Sequence, residues 1–294
     1  MLQIERILCP IDFSEFSEKA YDYAQSLAWH YKATVFLQHV IDSLSPPFDR
    51  NPFPDSYNEI CQTLRAGAQR QLQEFAEKHA RPGIVPNCHV SDGVATDLIL
   101  GFAEAHAVNL IVMGTHGLRG LDRLALGSVT EKVLRKATCP VLAVRKPAHD
   151  FVTPGEGPDP VHLHRILYCT DFSDNSEQAF DHAVSLAAEY KAELTLLHVL
   201  EGIADSADIQ NEIAKVMESL EKRISPETSK KCKTNAVVRI GKAYQQIIEL
   251  ALESKTDLII MGVRGRDAVD LALFGSTTYR VVQLGPCPVL VVHI

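Results

Sequence analysis

Two short segments carry residue types whose spacing suits the holding of phosphate. Gly114-Thr115-His116-Gly117 is followed by nine residues and then Gly127-Ser128; Gly262-Val263-Arg264-Gly265 is followed by nine residues and then Gly275-Ser276. Both follow an apolar run, Asn109-Leu110-Ile111-Val112-Met113 and Asp257-Leu258-Ile259-Ile260-Met261. Glycines at a strand end accept backbone angles closed to other residues and let the main chain approach a phosphate closely. A Gly-Ser pair opening a helix presents N–H groups and the positive end of the helix dipole to an anion. The serine hydroxyl can donate to a phosphate oxygen or cap the helix, and Ser128-Val129-Thr130-Glu131 has the spacing of a capping box. Basic residues gather in the same segments: His116, Arg119 and Arg123 in the first, Arg264 and Arg266 in the second. Neither segment contains the G-K-[ST] of a P-loop or the G-x-G-x-x-G of a dinucleotide site.

The other candidates are weaker. Asp12 and Asp171 end short apolar runs, where a carboxylate reaches a ligand hydroxyl or a metal, or the aspartate or the following Ser14 caps a helix. His39 and His198 recur at the end of a second strand, a place more typical of structural histidines. His162-x-His164 offers two ligands without neighbours, a poor metal site. The seven cysteines contain no C-x-x-C, so neither a disulfide framework nor a structural zinc is expected. No Ser-His-Asp or Cys-His arrangement can be placed, and no catalytic residue is assigned. The net charge of −8 argues against a nucleic-acid partner. No secretory signal and no apolar run of membrane-spanning length is visible, so a cytoplasmic protein is expected.

The elements that position these residues come in two copies. Ile7-Leu8-Cys9-Pro10-Ile11-Asp12-Phe13-Ser14 recurs as Ile166-Leu167-Tyr168-Cys169-Thr170-Asp171-Phe172-Ser173, and Cys139-Pro140-Val141-Leu142 recurs as Cys287-Pro288-Val289-Leu290. The offset is 159 at Asp12/Asp171 and His39/His198, and 148 at Gly93/Gly241 and Gly114/Gly262. The second copy is therefore shorter by 11 residues, where the first has the proline-rich run 45–54. Copy one is placed at 1–146, a Pro/Gly-rich linker at 147–162, and copy two at 163–294. Within copy one, short apolar runs (Ile4–Ile11, Thr34–Val40, Val85–Val90, Leu110–Met113, Val141–Val144) alternate with stretches of helical spacing (Ser14–Tyr31, Cys61–His79, Thr96–Ala105, Ser128–Lys136). That alternation predicts an α/β fold with a parallel sheet covered by helices on both faces. Ligands of such sheets bind beyond the carboxyl ends of the strands at the switch in strand order.

With its doubled Gly-2x-Gly-9x-Gly-Ser, an early strand ending in Asp and a closing Cys-Pro-Val-Leu strand, the chain resembles the universal stress protein family, in its tandem-domain form. The resemblance covers nearly everything outside the linker. It implies two tandem open five-stranded parallel sheets of order 3-2-1-4-5, adenine-nucleotide alpha-hydrolase-like, each with ATP or AMP, and Mg where ATP is bound, at the strand ends. It assigns phosphate and ribose to Gly114, Gly117, Gly127, Ser128 and Val129, with Arg119 beside them. In copy two it assigns them to Gly262, Gly265, Gly275, Ser276 and Thr277, with Arg266 alongside. It places Asp12 and Asp171 by the ribose and base, and Val40 and Val199 where the backbone meets adenine. Copy two departs from copy one: Val263-Arg264 replaces Thr115-His116, and Thr277-Thr278-Tyr279 lacks a glutamate matching Glu131. Three functions are consistent with the sequence: a nucleotide-dependent stress-response regulator, a slow Mg-dependent ATPase, or an interaction module with vestigial or non-nucleotide sites. The resemblance further implies that the two halves form an internal pseudo-dimer through their final strands, Val141–Val144 and Val289–Val292, with an unidentified protein partner and further homodimerisation both compatible.

Overall fold

Each copy begins with a strand whose central residues are buried, Ile7-Leu8-Cys9 and Ile166-Leu167-Tyr168, and a helix capped at both ends by its own sequence. In copy one these are β1 (Arg6–Pro10) and α1 (Glu15–Tyr31), then β2 (Thr34–Asp42), α2 (Asp55–Lys78), β3 (Asn87–Gly93), α3 (Ala95–Ala105), β4 (Leu110–Gly114), α4 (Ser128–Lys136) and β5 (Val141–Val144). Copy two runs β6 (Arg165–Cys169), α5 (Asp174–Tyr190), β7 (Glu193–Leu200), α6 (Ile209–Arg223), α7 (Pro226–Lys231), β8 (Thr234–Ile240), α8 (Ala243–Glu253), β9 (Leu258–Gly262), α9 (Ser276–Leu284) and β10 (Val289–Val292). This is a computed structural model; it describes residues 4–42, 55–117, 126–145, 150–153, 161–202, 209–263 and 275–293.

The caps show how closely local sequence dictates the repeat. Ser14 accepts from the Ser17 N–H at the start of α1, and Ser173 accepts from the Ser176 N–H at the start of α5. Glu15 and Glu18, and Asp174 and Glu177, put negative charge at the positive end of each dipole. Both helices end on a lysine in the left-handed region, Lys32 (φ 55°) and Lys191 (φ 53°), whose N–H closes onto the carbonyl of Ala28 or Ala187.

Each half has the expected order: β3-β2-β1-β4-β5 in the first and β8-β7-β6-β9-β10 in the second, with every pair inside a half parallel. The two sheets do not end at their last strands. β5 and β10 pair antiparallel, Val141 with Val291, Leu142 with Leu290 and Ala143 with Val289, so the described strands form one ten-stranded sheet. The all-apolar strands Val-Leu-Ala-Val and Val-Leu-Val-Val would be exposed edges if left unpaired, and their pairing removes that hazard.

Successive residues of a strand serve opposite cores. Ile7 and Cys9 face the layer of α1, α2 and α5, while Leu8 faces the layer of α3, α4, α8 and α9. Both cores run across the seam between the halves. Within the linker, Phe151, Val152 and Val161 are buried, Val152 bridges Val161 antiparallel, and the Phe151 ring packs edge-on against Tyr23 at 4.8 Å. The third strand starts later than its apolar pattern suggests, at Asn87 rather than Val85, and Val85 is exposed.

Candidate functional site

Strand β1 has β2 on one side and β4 on the other, so the connections leaving β1 and β4 diverge to opposite layers of helices. In open parallel sheets the ligand crevice lies at such a switch, beyond the carboxyl ends of both strands. Asp12 and Gly117 of copy one meet there.

Asp12 follows β1. Its Oδ1 accepts from the Ser14 N–H (3.1 Å) and the Ser14 hydroxyl (2.6 Å). The intervening Phe13 sits in the left-handed region at φ 63°, a conformation costing a non-glycine residue about 1 kcal/mol or more. Packing holds it there: its ring lies 4.6 Å from His39 and 5.8 Å from Phe75. Copy two repeats each feature, with Asp171 Oδ1 accepting from Ser173 N–H (3.1 Å) and Oγ (2.6 Å), and with Phe172 at φ 62°. Ser14 and Ser173 are therefore the helix caps, and Asp12 and Asp171 orient them rather than cap directly.

The other carboxylate oxygen faces the glycine loop. A Cβ added to Gly117 would lie 2.6 Å from Asp12 Oδ2, so a larger residue there would have to displace the carboxylate. A Cβ on Gly114 would fall 2.8 Å from the Phe16 carbonyl carbon, and one on Gly262 2.8 Å from that of Asn175, the equivalent residue of α5. These glycines let the strand end abut the helix backbone.

Helices α4 and α9 start at Ser128 and Ser276. Their N-caps are Gly127 and Gly275, and neither has a side-chain cap. The capping-box reading of Ser128 and Glu131 is corrected: Ser128 is already the first helical residue and its side chain is exposed. The first-turn N–H groups of a helix have no partner within it, so they and the dipole face the crevice. Val129 and Thr277 are half-buried in that first turn. Thr130 Oγ1 donates to the Gly114 carbonyl (2.8 Å), and Thr278 Oγ1 to the Gly262 carbonyl (3.1 Å). These buried threonines tie helix to strand end, a role the sequence motif does not reveal; their recurrence three residues after each glycine N-cap is the available signal.

Other assignments resolve individually. His116 is buried, its ring 4.9 Å from that of Phe16 and its Nδ1 2.8 Å from Thr115 Oγ1, so it packs against α1. His39 Nδ1 bonds the Ile11 carbonyl (2.7 Å) and His198 Nδ1 that of Thr170 (2.8 Å), fixing β1 to β2 and β6 to β7 beside the aspartates. Val40 and Val199 are half-buried near the ends of β2 and β7. Gly265, Arg119, Arg123, Arg264 and Arg266 lie outside the described residues. Burial and Asp22 push the Cys9 thiol far up, burial and Cys287 do the same to Cys169, and burial pushes Cys139 up to about 11, so none of them is a thiolate nucleophile at neutral pH.

Comparisons with known proteins bear on the family and the fold. The model of the universal stress protein family matches twice, at residues 3–145 and 162–293. The chain belongs to the universal stress protein family. A universal stress protein of Methanocaldococcus jannaschii is 36% identical over 143 residues, covering 49% of this chain and 83% of the relative. One of Mycolicibacterium smegmatis is 26% identical over 302 residues, covering 98% of this chain and 96% of the relative. The crystal structure of a universal stress protein from Archaeoglobus fulgidus has the same fold, with a TM-score of 0.66 at 22% identity over 99% of this chain and 97% of that one. This universal stress protein thus carries two family domains in one chain, and Asp12 and Gly117 approach each other at the switch point of the first.

Proposed function

We propose that the chain binds an adenine nucleotide, ATP or AMP, at the switch-point crevice of each half and serves as a nucleotide-dependent regulator in a stress response. The observation that carries this is the approach of Gly117 to the Asp12 carboxylate beside a helix start with no side-chain cap. Copy two repeats its described parts in Asp171, Gly262 and Gly275. Phosphates lie on the first turn of α4, against Gly114, Gly117, Gly127, Ser128 and Val129; in copy two Gly262, Gly265, Gly275, Ser276 and Thr277 take their place. The positive end of the helix dipole stabilises an anion there even though the chain's net charge is −8. Asp12 and Asp171 accept from ribose hydroxyls, and the main chain at Val40 and Val199 meets the base. Arg119 and Arg266 steady the phosphates.

A magnesium ion would share its charge with the phosphates it accompanies. Among the described residues no group of three or more His, Cys, Asp or Glu side chains could hold a metal. Asp12 or Asp171 would contribute a single oxygen, and the nucleotide and water would supply the rest.

Calorimetric titration of the full chain with ATP and Mg tests the reading. Heat with a dissociation constant at or below the millimolar range is expected, weakened about tenfold or more by the double variant D12A/D171A. Absence of heat at millimolar ATP sinks it.

A further inference from the structure

The seam between the halves has two components of different symmetry. In the sheet, Leu142 pairs with Leu290, its own equivalent at offset 148, and Val141 and Ala143 pair with Val291 and Val289. A pseudo-twofold axis therefore passes through the leucine pair, and the strands are self-complementary. By its backbone and apolar side chains alone, β5 would accept β5 of another chain as readily as β10.

The helices differ. Tyr31 at the end of α1 and Tyr190 at the end of α5 are also equivalents, at offset 159, and they meet across the axis: burial, Tyr190 and Glu189 together push the Tyr31 hydroxyl far above its ordinary range. The neighbouring equivalent pair is His30 and Glu189. His30 Nε2 lies 3.0 Å from Glu189 Oε1, the Tyr31 hydroxyl donates to Glu189 Oε2 at 2.9 Å, and the His30 ring lies 4.8 Å from that of Tyr190. The two side chains retain only 24% and 20% of their exposure, so their mismatch would be partly shielded from water. A position that contacts its own equivalent across a twofold must hold two like residues whenever like halves pair. Here it holds a donor in one half and an acceptor in the other.

We propose that the His30–Glu189 pair selects the partner of each half: it makes the surface formed by α1 and β5 fit the second half of this chain and rejects a first half. Pairing of two second halves would face carboxylate to carboxylate, with tyrosine hydroxyls in the Tyr31 position but no imidazole between the two acids. Pairing of two first halves would face imidazole to imidazole and remove the acceptor of the tyrosine hydroxyl. Like charges or unpaired polar groups against the wrong partner are a recognised route to specificity.

Four full-length chains test this: wild type, H30E, E189H and the exchanged double variant H30E/E189H. The single variants place like residues across the axis, and each is expected to lose about 3 °C or more of thermal midpoint. The double variant restores the pair in reverse and is expected to return most of that loss. Mixing isotope-labelled H30E with unlabelled E189H under refolding conditions should give mixed dimers in native mass spectrometry, because only unlike chains then offer a complementary seam. A double variant no more stable than the single ones, or H30E and E189H chains that fail to find each other, would overturn the proposal. If a single variant does not fold, recovery of folding by the double variant supports the proposal, and failure of the double variant as well overturns it.

Discussion

At the level of single residues, the site depends on two glycines whose constraints differ in kind. Gly117 faces the end of a side chain, Asp12 Oδ2 at 2.6 Å from a prospective Cβ, whereas Gly114 faces the backbone of Phe16. The variant G117A therefore displaces a carboxylate, and is expected to weaken ATP binding about tenfold in calorimetry with little change in thermal midpoint. The variant G114A forces strand and helix apart and should cost about 3 kcal/mol in denaturant unfolding. Equal effects of the two on stability would contradict this division. The variant T130V removes the bond to the Gly114 carbonyl and should cost about 1 kcal/mol. Residue types and spacing alone make the glycines and Asp12 legible. Phe13 and Thr130 are not legible in that way, because a left-handed phenylalanine is held by tertiary packing and a threonine inside a helix carries no local sign of its partner.

At the level of elements, boundaries follow local chemistry where it is strong. Helix α1 ends at Tyr31, where its helical spacing ends, and Ser14 caps its start. The start of α4 lies where the sequence places it, but its cap differs: a glycine N-cap leaves the first turn open, whereas the serine spacing suggests a closed box. Strand β3 is the least legible element, since its half-buried residues lack a continuous apolar run. It carries His89, whose ring lies 4.9 Å from Phe102 and 6.0 Å from His106. Burial, and then His106, hold the His89 pKa below its ordinary value. The folded state thus favours the neutral ring, and stability is full above the unfolded pKa of about 6.5 and declines as pH falls through it. The thermal midpoint should drop between about pH 7.5 and 5.5, and H89Q should flatten that slope. An unchanged slope in H89Q would remove His89 as its source.

At the level of the whole molecule, duplication is legible because constant offsets relate the copies, and the strand order within each half follows from alternating elements. Joining of the two sheets is legible only as a capacity: apolar final strands can pair, but their register emerges from the assembled edge. Leu142 and Leu290 are both buried at the centre of that seam. Replacing Leu142 by Asp would bury an unpaired carboxylate on the axis and should cost more than about 3 kcal/mol, read as splitting of the guanidinium unfolding transition into two. A single transition at the wild-type midpoint would show that the seam contributes little to cooperativity.

Occupancy of both crevices by adenine nucleotide is tested most directly by denaturing freshly purified protein and identifying the released small molecules by chromatography and mass spectrometry, with stoichiometry per chain. An adenine nucleotide at about one to two equivalents is predicted, falling when Asp12 and Asp171 are both replaced by Ala. A protein that releases no nucleotide and gives no heat with ATP and Mg would contradict nucleotide binding, and would reduce the glycine loops to turns that close a strand onto a helix.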